Sequence, residues 1–104
     1  MPAVFFANVG STPIEVSGVG CHIVCIELTN PGASLAYLQV FNRRASGVTL
    51  GTTAPDFVAS AVAGGNKTVT FPVPARFKNG VTIACTTTPT GSTAAPMHVS
   101  LLIT

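Results

Sequence analysis

Charge is what this chain has least of. Of its 104 residues only 8% are charged, with Arg43, Arg44, Lys67, Arg76 and Lys78 set against Glu15, Glu27 and Asp56 for a net +2. An ordinary soluble domain carries about 25% charged residues, so the surface here must be built from Ser, Thr, Asn, Gly and Ala. The five cations form no stripe, and the Arg43–Arg44 pair reads as two solvated side chains at a strand end. Nucleic acid is thereby excluded as a partner, because phosphate binding needs clustered cations, commonly interleaved with aromatic rings. Three carboxylates and two histidines are also too few for acid–base chemistry. Neither His22 nor His98 has an Asp or Glu close by to orient it, so no nucleophile has a base. We expect no enzyme activity, no catalytic residue, no cofactor and no small-molecule substrate.

Other scarcities narrow the reading further. There is no Trp and only one Tyr, which argues against a sugar site lined by exposed rings. No apolar run approaches the ~18 residues of a membrane span, so no membrane is expected. The opening residues show no basic leader or cleavage site, and the expectation is a chain made and used in water, with its cysteines reduced. Cys21 and Cys25 are four apart on one strand, about 13 Å, too far to bond each other or share one zinc, so no metal site is expected. A bond between Cys25 and Cys85 stays conceivable between facing strands of a sandwich.

What the chain does have is period two. CHIVCIEL, Cys21 to Leu28, puts Cys21, Ile23, Cys25 and Glu27 on one face and His22, Val24, Ile26 and Leu28 on the other, which marks a central strand. Asn30, Pro31 and Gly32 supply a turn, and Leu35 to Phe41 follows as if in a hairpin. Further strands are expected at Val4 to Ala7, Pro13 to Val16, Val48 to Leu50, Phe57 to Val62, Lys67 to Phe71, Val81 to Thr87 and Met97 to Ile103. Pro72 to Pro74 reads as a bend between strands, and Thr86 to Pro96 as an exposed loop. The prediction is one all-β domain over residues 1–104, a β-sandwich of jelly-roll type with about seven or eight short, mainly antiparallel strands. Residues 1–12 read as a contact arm. Val4, Phe5 and Phe6 are consecutive and apolar, so one ring must face outward, and these three are the candidate subunit or capsid contacts.

From Tyr37 the text runs YLQVFN, then VTLGTTAPDFV, a Gly-Gly turn, and FPVPARFKNGVTIACTTTPTGST. Over the last two-thirds of the chain this order resembles a family of small virion proteins encoded by tailed bacteriophages and prophages. The resemblance implies a head-decoration or cement protein that binds the outer surface of a capsid and stabilises it. Its partners would be the phage major capsid protein and copies of itself, as a homotrimer. Its location would be the virion surface, after assembly in the host cytoplasm. Within the motif, Gly51 and Pro55 bound a turn whose amides Asp56 would accept from, and Phe71 and Phe77 flank the proline-rich bend and anchor it. The second reading is a receptor- or carbohydrate-binding module of a phage fibre or tail.

Overall fold

The computed structural model describes residues 3–104. Eight strands carry the chain: β1 (Ala3–Val9), β2 (Ile14–Ser17), β3 (Cys21–Thr29), β4 (Ala36–Phe41), β5 (Phe57–Ala61), β6 (Asn66–Phe77), β7 (Val81–Thr86) and β8 (Met97–Ile103). The one helical turn among the described residues is Ala45–Gly47. Sheet I has the order β1-β8-β3-β6 and sheet II the order β2-β7-β4-β5, with every neighbour antiparallel. In hairpin terms, the first half of the chain lies against the second, β1 on β8, β2 on β7, β3 on β6 and β4 on β5. Rolling that ribbon brings β3 onto β8 and β4 onto β7. This is a jelly roll, and it gives the all-β sandwich expected from the sequence.

Alternation decides what enters the space between the sheets. Ile23, Ile26 and Leu28 from β3, Leu38 and Val40 from β4, Val81, Ile83 and Cys85 from β7, and Met97, Val99 and Leu101 from β8 are all buried there. At one end of the sandwich two turns meet backbone to backbone. A Cβ on Gly20 would stand 2.7 Å from the Lys78 carbonyl oxygen, and one on Gly80, at φ +117°, would stand 2.7 Å from that of Ser17. Glycine is required at both positions by space, and at Gly80 by dihedral as well.

Several expectations are corrected. β3 and β4 do not form a hairpin; they belong to different sheets, because Asn30 redirects the chain. Its Oδ1 accepts from the Gly32 amide (2.9 Å), while its Nδ2 donates to the carbonyls of Ser34 (2.8 Å) and Ala61 (2.9 Å). Residues 48–50 form no strand and lie in the loop between β4 and β5. Pro72 and Pro74 do not end a strand. β6 runs through them, but opposite β3 the register jumps from Cys25↔Thr70 to Ile23↔Ala75, so residues 71–74 bulge outward. Proline is tolerated there because a bulged edge strand needs no amide at that point. Asp56 accepts from the Asn42 amide (2.6 Å) rather than from its own turn, tying the start of β5 to the end of β4.

The expected face of β3 also changes partway along. Its register shifts between Ile23 and Cys25 against both neighbours, a bulge at Val24 that resets the alternation. Cys21 packs against the core, as does Ile23, whereas Cys25 and Glu27 turn to the opposite, outer side. The two cysteines do not share a face.

The core leaves little room for substitution. Leu38→Ala is expected to lower unfolding free energy by about 2–5 kcal/mol, a large part of what a domain this size possesses, with an unchanged urea m-value as the check that two-state folding persists.

Candidate interaction face

The two outer faces of the sandwich differ. That of sheet II carries Tyr37, Gln39 and Phe41 beside Thr82, Ala84 and Thr86, and all but Tyr37 are buried. Loops at residues 42–56 and 87–96 cover them. The Thr82 hydroxyl donates to the Arg43 carbonyl (2.8 Å), Gln39 Nε2 donates to the Gly91 carbonyl (3.0 Å) and to Thr86 Oγ1 (2.7 Å), and Thr86 Oγ1 donates to the Thr88 carbonyl (2.7 Å). Gln39 Oε1 is left buried without a partner, a cost offset by the two bonds its nitrogen makes to hold the loop. The arginine pair is occupied locally: Arg43 Nη1 donates to the Gly47 carbonyl (3.3 Å) and Arg44 Nε lies 3.7 Å from Glu15.

Sheet I has no such cover among the described residues. Its register sets outward side chains in rows, with Ala3, Leu102, Cys25 and Thr70 in one and Phe5, Ser100, Glu27 and Thr68 in the next. A shallow hollow of about 180 Å³ lies among Ala3, Cys25, Glu27, Ser100, Leu101 and Leu102. Glu27 is the one charge in these rows.

Of the three residues singled out from the sequence, the structure frees one. Phe5 is 62% exposed, whereas Val4 and Phe6 pack against the core. Val4 and Phe6 turn inward because β1 alternates like any strand, so of the two adjacent rings it is Phe5 that faces outward. Residues 3–9 of the expected arm form an edge strand, and residues 1–2 lie outside the described residues. Past Phe6, β1 bulges before Val9, with Asn8 at φ +53°. The Asn8 amide donates to His98 Nδ1 (3.1 Å), and the His98 ring lies 6.1 Å from that of Phe5, tilted 39°. An accepting Nδ1 places the neutral ring's proton on Nε2. Sequence reasoning missed Ser100 and Leu102, although the alternation of MHVSLLI separates them from Met97, Val99 and Leu101. It also missed the outward turn of Cys25, which the bulge alone produces.

No group of three or more His, Cys, Asp or Glu side chains converges among the described residues, and no hydrogen bond or ion pair joins either histidine to a carboxylate among them. All three cysteines are free thiols. Cys25 faces out from sheet I while Cys85 lies in the core from sheet II, so the bond conceivable from the sequence is not made. Burial pushes the Cys85 thiol up to about 12 from 9.0, against a lowering backbone hydrogen bond from Met97. Burial also raises Cys21, opposed by the Ser17 side chain. No helix is long and apolar enough to cross a membrane among the described residues. A scan against models of protein families finds no match to this chain, and a search of curated proteins finds none.

Two predictions follow from the thiols. With a disulfide-exchange reagent, Cys25 should react first, Cys21 more slowly and Cys85 only on unfolding, giving three thiols in non-reducing denaturant; a total of one would mean a disulfide. For Cys85, the unfolded thiol ionises above pH 9.0 while the folded one holds its proton to about 12. The unfolded state therefore binds fewer protons in that window, so the stabilisation is complete below pH 9.0 and is lost as pH rises toward 12. Between about pH 8.5 and 10.5 the native protein should lose roughly 1–2 kcal/mol more than Cys85→Ala does, by urea denaturation at each pH.

Proposed function

We propose that this chain is a structural protein that works by binding another protein surface through the outer face of sheet I, as a decoration or cement protein on a phage head. The observation that carries the reading is the contrast between the two faces: one sealed by its own loops, the other open, nearly uncharged and bearing an exposed Phe5. Protein contacts deplete charge at their centre and use aromatic anchors. The jelly roll occurs in capsid proteins and lectins alike, so fold alone does not choose. Against a lectin, the open face offers one ring, Phe5, and Tyr37 lies half-buried on sheet II. The phage address comes from the sequence resemblance; the mode of action comes from the face. On this reading many copies, each with a modest contact, strengthen the shell by avidity.

The test is co-sedimentation of the purified protein with mature heads of the phage that encodes it, prepared without the protein. Deleting residues 1–6 is unsuitable, because it removes core-facing Val4 and Phe6 together with Phe5. Phe5→Ala should weaken binding by about 2–4 kcal/mol, roughly 30- to 1,000-fold, and melt within a few degrees of the parent. Unchanged binding by that variant, or retention on glycans but not on heads, would overturn the reading.

A further inference from the structure

Each sheet has two edges, and three of the four are closed by visible devices. β6 carries Pro72 and Pro74, which have no amide hydrogen, within its bulge. β2 is four residues long, and its Glu15 carboxylate accepts from the Ala45 amide (3.0 Å) with Arg44 beside it. β5 is five residues long and abuts β6, with the Phe57 ring edge-on to Phe71 at 5.4 Å. Among the described residues, β1 has no such device before its bulge. From Ala3 to Val9 it contains neither proline nor a charged side chain.

The direction of its backbone groups follows from the ladder. His22 and Thr104 exchange both backbone hydrogen bonds, at 3.0 and 2.9 Å, so Thr104 points its amide and carbonyl toward β3. Direction alternates along a strand, so Leu102 and Ser100 also point to β3, while Leu101 and Val99 point to β1. Their partners there are Val4 and Phe6; the amides and carbonyls of Ala3 and Phe5 point away from the sheet, to the open edge. A row of free donors and acceptors beside an exposed ring fits another extended strand.

We propose that β1 pairs antiparallel with β1 of a second copy of this chain, joining two copies of sheet I into one continuous sheet. Pairing about Val4 sets Ala3 of one copy opposite Phe5 of the other, twice, so that each large ring meets a small side chain and the same four backbone positions are satisfied on both sides. The strand is uncharged and the chain carries a net charge of only +2, so two copies approach with little repulsion. Each copy has one such edge, so the contact is isologous and closes at two rather than growing into a fibre. A twofold pair departs from the trimer implied by the resemblance. It rests on the edge and not on the particle reading: a dimer that binds no head upholds it, and a particle-bound monomer overturns it while leaving the docking face standing.

Sedimentation equilibrium combined with amide exchange by NMR, at low and high protein concentration, tests the proposal. The mass should approach that of a dimer, and the Ala3 and Phe5 amides should exchange about tenfold or more slowly at high concentration, while the Val4 and Phe6 amides are protected throughout. Ala3→Pro, which deletes an edge donor and leaves the ring, should shift the protein to monomer; Val73→Lys, exposed on β6 at the other edge of sheet I, should not. A monomer at all concentrations, a trimer, or a dimer whose Ala3 and Phe5 amides stay unprotected would overturn it. Protection that requires another protein would also overturn it, by identifying a foreign strand as the occupant.

Discussion

The pairing of the first half of the chain with the second, rolled so that β3 meets β8 and β4 meets β7, is the constraint on which everything else depends. It makes every connection except β4 to β5 cross between sheets, so neither sheet can form without the other. It places β7 and β8, the last strands in sequence, inside their sheets, where six of six residues of β7 are buried. Contacts that join chain positions so far apart cost closure entropy before they return any packing, which is the circumstance of slow-folding β proteins. The same roll decides which strands are edges and which faces are open, so the surface available to partners follows from topology.

That topology was only partly legible. Period-two patterning located β1, β2, β3, β4, β5, β7 and β8 to within a residue or two, because alternation is a local property of half-buried strands. Partner choice is not local. Leu35 to Phe41 follows β3 closely and reads as its hairpin mate, yet the buried Asn30 amide sends it to the other sheet. Bulges were hidden for a related reason. CHIVCIEL alternates without fault on paper, and the extra residue at Val24 becomes visible only when β8 is set beside it. Val48 to Leu50 has strand-like residues but lies in the loop between β4 and β5. At the candidate face, two adjacent rings require one to point outward. Which ring does so depends on the register with β8.

A surface with few charges has to manage its exposed parts by shape. Sheet II is sealed by loops fastened through Gln39, Thr82 and Thr86. The β6 edge is blunted by prolines rather than by an arrangement of cations. Against that background sheet I stands out as the face left open, and the hollow beside Cys25 and Glu27 as its lowest point. We read its role as losing neutral surface to a partner.

The central claim, that this face is the one covered in the assembled particle, is tested most directly by alkylating Cys25 on particles. Its thiol lies in the open face, while Cys21 packs toward the core and Cys85 is fully buried, so it reports on that face alone. With the protein bound to heads, the account predicts that Cys25 labelling slows by about tenfold or more relative to free protein, as expected for a side chain at the water-excluded centre of a contact. Labelling of Cys25 at the same rate on and off the particle would contradict it.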